Sequence, residues 1–377
     1  MITPYTIAIP QADLDDLKAR LARVRWSNEL PGVGTYYGVP LEPIKRLAKY
    51  WLEDYDWRIW EAKLNAYPQF TTTIDGQNIY FLHIRSQEDD ALPLILTHGW
   101  PSSVIDYLDL IGPLTNPRSH GGEATQAFHL VIPSLPGFGF SGPTHDVGWD
   151  RYRVARAWAE LMHRLGYERY GAQGNDWGSI ISPEVGRCDP EHAIGVHVTQ
   201  IFSFPSGDPT ELEALSEEEK NQWQGYQWWR TNLGAYDQLQ STVPQTLAHA
   251  LADSPVGQLA WSYQMFGDTM NDEYIITSVM MYWLTNTAAS SARFYYENAH
   301  AKPVPTEPTT LPLGVTNFAA EQAIRTFAER DHKNILFWNA YDRGSHFATQ
   351  TAPDLLINDI RTFFQKVRYP AGETRPS

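Results

Sequence analysis

The residues best placed to do chemistry lie in Gly174-Asn175-Asp176-Trp177-Gly178-Ser179. Tyr170-Gly171-Ala172-Gln173 leads into them as a strand would, and a helical pattern follows. Glycines two positions to either side of Asp176 predict a sharp strand-to-helix turn with the carboxylate at its apex, since only residues with little side chain fit beside so tight a bend. Asp next to Gly is also ordinary turn chemistry, so the motif needs partners. A carboxylate is already ionised at neutral pH, whereas a serine must first lose a proton. Its attack on an ester would only form an anhydride. Displacement at saturated carbon is open to it and leaves an alkyl ester, so the substrates implied are alkyl groups with a leaving group, such as epoxides or halides.

Partners occur in a fitting order. Thr97-His98-Gly99-Trp100-Pro101 closes an apolar strand at 92–97. This loop would turn backbone N–H groups toward the carboxyl edge of a sheet, where the amides of Trp100 and Trp177 could hold an oxyanion. His98 itself reads as structural. Asp342-Arg343-Gly344-Ser345-His346-Phe347 follows the last predicted strand. A histidine there, after the apex and a helical insertion, suits a general base better than His129, His197, His300 or His332. The base needs an orienting carboxylate. Glu321, just past a strand at 313–316, is favoured over Asp331 and Asp342. Gly139-Phe140-Ser141-Gly142-Pro143 has Pro143 where a second small residue is required and reads as a turn near the mouth of the site. With no phosphate loop, no dinucleotide fingerprint and no His/Cys cluster at metal-ligand spacing, neither cofactor nor metal is expected.

The elements that must position these groups follow from periodicity. Residues 70–74 and 79–84 flank Asp75-Gly76 as a hairpin. Strands are predicted at 92–97, 128–132, 193–199, 313–316 and 334–338, with helices at 104–114, 149–165 and 354–367 between or after them. This alternation predicts an α/β fold with a mostly parallel, doubly wound sheet. Residues 204–300 lack strand signals and read as an inserted α-helical cap. The acidic run Glu217-Glu218-Glu219 there reads as a solvated helix face. Residues 1–69 form an N-terminal helical meander packing on core and cap, and 70–203 and 301–377 are the two parts of the core.

Composition narrows the partners. A net charge of −15 over 377 residues argues against nucleic acid and against an anionic membrane surface. The 14 Trp, 20 Tyr and 15 Phe predict an apolar cavity lined by aromatic rings. A single cysteine, Cys188, allows no intramolecular disulfide. The first ten residues show neither a basic nor an apolar leader pattern, and no stretch has the length of a membrane span. A soluble cytoplasmic protein is the expectation.

The chain resembles the microsomal-type epoxide hydrolases of the α/β-hydrolase superfamily. The resemblance runs through His98-Gly99-Trp100-Pro101, Gly137-Phe138-Gly139-Phe140-Ser141, Asp176-Trp177-Gly178-Ser179, Gln240-Ser241-Thr242, Asp253-Ser254-Pro255-Val256-Gly257, Ser290-Ser291-Ala292-Arg293-Phe294-Tyr295 and Gly344-Ser345-His346-Phe347-Ala348. It implies the α/β-hydrolase fold, Asp176 as nucleophile, His346 as base and Glu321, at the end of a segment beginning at Pro312, as the orienting acid. It further implies ring-opening tyrosines at Tyr236 and Tyr295, and Trp100, Trp177 and Phe138 around the substrate. That substrate would be a small apolar epoxide, aromatic or bulky, with a homodimer a compatible assembly. Asn175, Val243 and Ser345 depart from the family pattern without removing a catalytic group. The alternatives are a haloalkane dehalogenase-like hydrolase, for which an obvious halide-binding pair is missing, and a binding protein, which should lack a triad member.

Overall fold

The computed structural model describes residues 1–302, 305–319, 321 and 323–368, so the end of the second predicted core segment lies outside the described residues. Strands β1 (Thr3–Pro4), β2 (Gln69–Ile74), β3 (Gln77–Ile84), β4 (Leu92–Thr97), β5 (Phe128–Pro133), β6 (Tyr170–Asn175), β7 (Ala193–Thr199), β8 (Leu313–Asn317) and β9 (Ile335–Ala340) form one sheet in the order β1-β2-β3-β5-β4-β6-β7-β8-β9. The antiparallel edge is the β1–β2–β3 meander, with β3 also antiparallel to β5. From β5 across to β9 every pairing is parallel. The hairpin turns where predicted, with Asp75 and Gly76 both at positive φ as a two-residue connection prefers.

Helices cover the parallel strands, which explains their near-continuous apolar character. Leu94, Ile95, Leu96, Leu130, Val131, Ile132 and Ala172 are all fully enclosed. The chain crosses from β4 to β5 on one side and then returns to β6 on the other. Loops leaving β4 and β6 therefore part at their carboxyl ends and open a crevice there. Asp176 directly follows β6, the Gly99–Trp100 loop follows β4, Glu321 follows β8 and His346 follows β9. Parallel pairing alone brings four distant pieces of sequence to one edge.

Between β7 and β8 the chain forms helices Glu217–Asn232, Ala235–Thr242, Pro244–Asp253, Pro255–Phe266, Asp272–Trp283 and Ala288–Ala299. Two local readings change. The predicted helix at 104–114 begins as a 3₁₀ turn, Val104–Tyr107, before the α-helix Leu108–Thr115, a common tightening of a first turn. The acidic run is more than a solvated face. Ser216 and Glu219 form a reciprocal capping box, and Glu219 Oε1 accepts from Thr326 N at 2.9 Å, tying the insertion to the core.

Of the N-terminal helices, Gln11–Leu21 lies against Pro255–Phe266, Leu41–Glu53 against both Pro255–Phe266 and Asp272–Trp283, and Trp57–Asn65 against Asp272–Trp283. Tyr55 Oη meets Thr277 Oγ1 at 3.0 Å, and Trp60 Nε1 donates to Glu273 at 2.8 Å. Among the described residues no helix is long and apolar enough to cross a membrane.

Candidate active site

The turn at the end of β6 is as tight as its glycines predict. Asp176 sits at φ 54°, ψ −119°. A non-glycine residue there is strained by about 1–3 kcal/mol and persists only where its surroundings impose it. A Cβ on Gly174 would fall 1.9 Å from the Gly178 carbonyl oxygen, and one on Gly178 would fall 1.9 Å from that of Thr97. Strand, helix and neighbouring strand thus meet with no room for a methyl group, and the carboxylate is forced outward over the sheet edge.

The β4 loop closes on it from the side. A Cβ on Gly99 would lie 2.0 Å from Asp176 Oδ1, so only glycine admits the loop this close. The Trp100 amide donates to that oxygen at 2.8 Å. Trp177 is the first residue of its helix, so its N–H has no intrahelical acceptor and sits at the positive end of the helix dipole. Of the two amides predicted for an oxyanion site, that of Trp100 is on the carboxylate and that of Trp177 is left free at the helix start. His98 keeps its structural reading. Burial lowers its pKa to about 4, its Nδ1 lies 2.8 Å from the Gly99 carbonyl, and its Nε2 accepts from Leu135 N at 3.2 Å.

His346 stands on the opposite side. Its Nδ1 lies 2.9 Å from both oxygens of Glu321, and its Nε2 lies 3.4 Å from Asp176 Oδ2. The second separation is a charge contact rather than a good hydrogen bond. Of the three acids considered, Glu321 reaches the imidazole. Asp331 pairs with Arg330 at 2.7 Å, and Asp342 is exposed. Burial works to strip His346 of its proton, but Glu321 and Asp176 outweigh it and raise its pKa well above that of a free imidazole.

Over the carboxylate stand rings from the helical insertion. Tyr236 stacks on Trp100 with ring centres 5.2 Å apart. Tyr295 meets Trp177 edge-on at 4.8 Å and Tyr236 at 6.1 Å. Burial first, then the charge of Asp176, raises Tyr236 well above the ordinary phenol value; burial and the neighbouring Tyr236 do the same for Tyr295. Both remain protonated donors at any physiological pH. Phe138 is set further back. Its ring is fully enclosed against His98, Tyr282 and Phe294, and Phe294 in turn packs on Trp177. A file of rings continues outward from Tyr236 through Trp229 and Tyr226 to Phe204, which is 40% exposed.

Three groups near the site escaped sequence reasoning. Asp106 is buried beneath the β4 loop and accepts a hydrogen bond from Tyr274 of the insertion. Burial raises its pKa to about 6. Tyr282 donates to the Ser102 carbonyl at 2.6 Å. The available signal was a carboxylate inside the apolar run Val104-Ile105-Asp106-Tyr107-Leu108. On the other edge of the sheet, His163, Asp189 and His192 also come together, a grouping that spacing along the chain concealed.

Comparison with known proteins agrees with this architecture. Residues 2–107 match the family model for the epoxide hydrolase N terminus. A putative epoxide hydrolase of Stigmatella aurantiaca is 44% identical over 97% of this chain and 86% of its own. Epoxide hydrolase 1 of Sus scrofa is 29% identical over 96% of this chain and 88% of its own. The structure of Aspergillus niger epoxide hydrolase superimposes with a TM-score of 0.85 at 30% identity, covering 97% of both chains.

Proposed function

This chain belongs to the microsomal-type epoxide hydrolases of the α/β-hydrolase superfamily, and from that premise we propose that it opens an apolar epoxide to a vicinal diol through an ester on Asp176. The observation that carries the mechanism is the unequal setting of the two Asp176 oxygens. Oδ1 is held by the Trp100 amide, while Oδ2 faces His346 without a close donor. Oδ2 is therefore the oxygen that attacks a ring carbon. The carbon–oxygen bond breaks, its electron pair passes to the epoxide oxygen, and Tyr236 or Tyr295 supplies the proton. The product is a hydroxyalkyl ester whose carbonyl oxygen, Oδ1, already lies at the Trp100 amide, with the free N–H of Trp177 next in the chain as the second donor.

Ester formation also prepares the second step. It consumes the Asp176 charge, one of the two carboxylates that hold a proton on His346. The imidazole becomes less basic, its proton passes to the phenolate left by ring opening, and the neutral ring serves as a general base, still oriented by Glu321. His346 takes a proton from water, whose oxygen attacks the ester carbon. Collapse of the tetrahedral species sends its hydroxyl proton to the departing oxygen, which frees the diol and restores the carboxylate beside the protonated His346. The ring file from Phe204 to Tyr236 supports a bulky apolar or aromatic substrate.

Intact-protein mass spectrometry of His346→Ala mixed with styrene oxide tests the reading. A stoichiometric adduct on Asp176 is expected. An adduct with alkyl halides but not epoxides would reassign the chain to dehalogenation, and none with either would leave a binding protein.

A further inference from the structure

The His163, Asp189 and His192 cluster lies at the amino-terminal edge of the parallel strands, across the sheet from Asp176. His163 is in the last turn of helix Arg151–Arg164, Asp189 caps helix Trp177–Cys188, and His192 immediately precedes β7. The Asp189 carboxylate receives both imidazoles. His163 Nε2 is 3.0 Å from Oδ2, and His192 Nδ1 is 2.6 Å from Oδ1. All three ligand atoms lie within 4.8 Å of one another.

We propose that these three side chains bind a divalent transition-metal ion, Zn²⁺ foremost, which braces the far end of the helix that carries the nucleophile. Two imidazoles and a carboxylate are the donors that Zn²⁺ selects, whereas Mg²⁺ and Ca²⁺ take oxygen sets. The supporting groups are of the kind metal ligands require. Tyr170 Oη donates to Asp189 Oδ2 at 2.6 Å, fixing the carboxylate. Glu168 lies 3.9 Å from His192 Nε2, beyond hydrogen-bond reach, on the side of the ring away from Asp189. The turn is rigid at its root, since the Asp189 carbonyl accepts from Ala193 N at 2.9 Å.

Exposure is graded in the same sense. Asp189 retains 9% of its side-chain surface, His192 29% and His163 41%. The anion is thus buried and fixed, while the imidazoles are open enough to admit an ion and to leave positions for water. Zn²⁺ ligands stand about 3–3.5 Å apart around an ion that each meets at about 2.0–2.2 Å. The atoms of the cluster, within 4.8 Å of one another, are close to that spacing, and the exposed His163 side chain is the member with most room to adjust. Each imidazole ligates through a nitrogen that carries no proton, so affinity falls with acidity.

The test uses the full chain and Zn²⁺ alone. About 100 µM Zn²⁺ at pH 7.5 should raise the unfolding midpoint by several degrees, while Mg²⁺ should not. The shift should persist in His346→Ala, which removes the imidazole of the active site, and vanish in the His163→Gln/His192→Gln double variant. Co²⁺ titrated into the unmodified chain should develop visible absorption bands at one equivalent, a readout that needs no variant. No midpoint shift and no bands at about 1 mM metal, or a shift that survives in the double variant, would overturn the proposal.

Discussion

Replacing Asp176 with Asn imitates the ester intermediate in charge while keeping a carbonyl oxygen for the Trp100 amide. The proposed mechanism requires this change to make His346 less basic. The magnitude follows from the 3.4 Å between Asp176 Oδ2 and His346 Nε2. Coulomb's law with an effective dielectric of about 20 gives about 5 kcal/mol for a unit pair at that distance. Both side chains keep 12% of their surface, and water screens part of the interaction. The midpoint expected in Asp176→Asn is therefore lower, with the loss of proton affinity bounded above by that figure. Glu321 remains in place, so the imidazole stays oriented and only its proton affinity changes. A titration of ¹³C-labelled histidine by NMR, in unmodified protein and variant, reads the shift directly, with His346→Ala assigning the resonance. An unchanged or raised midpoint would refute the idea that ester formation releases the base.

Three further outcomes follow from the same geometry. Tyr236→Phe and Tyr295→Phe each remove one donor to the departing oxygen. Each should slow single-turnover ester formation about 10–100-fold, with ester hydrolysis unchanged; equal slowing of both steps would contradict the assignment. Asp106 is raised from 3.8 to about 6 in the folded chain, so its stabilising contribution is complete below pH about 4 and is lost as pH rises through about 6. Between pH 4 and 7, chemical denaturation should show the stability difference between Asp106→Asn and the unmodified chain moving about 2–3 kcal/mol in favour of the variant, and a flat difference would count against burial as the cause. Gly178→Ala places a methyl group against the Thr97 carbonyl oxygen, so unfolding studies should show a loss of at least about 3 kcal/mol or no folded protein.

What was legible in the sequence was local or followed from parallel pairing. The Gly174 and Gly178 spacing announced the elbow because it expresses a steric exclusion between neighbours in the chain. Glu321 and His346 could be placed because strands β8 and β9 end shortly before them, and the ends of parallel strands share an edge. Tyr236 and Tyr295 had no such address. One tyrosine among many on helical segments carries no signal of its orientation, and only the flanking motifs of the resembled family singled them out. Asp106 with Tyr274, and the cluster of His163, Asp189 and His192, join residues that neither periodicity nor spacing relates. Both depend on how helices settle on the sheet, which a one-dimensional pattern does not encode.

The tie between Tyr274 and Asp106, and that between Tyr282 and the Ser102 carbonyl, have a consequence for selectivity. Asp176, His346 and Glu321 all hang from the sheet edge, whereas Tyr236 and Tyr295 hang from the inserted helices. Under the proposed mechanism an epoxide would be gripped between these bodies as between the jaws of a caliper, its oxygen on one jaw and its reacting carbon on the other. Which of the two ring carbons lines up with Asp176 then depends on the setting of the caliper, and the two ties act as its locking screws. Regiochemistry on this scaffold becomes adjustable at a distance from the reacting atoms, through contacts that never touch the substrate.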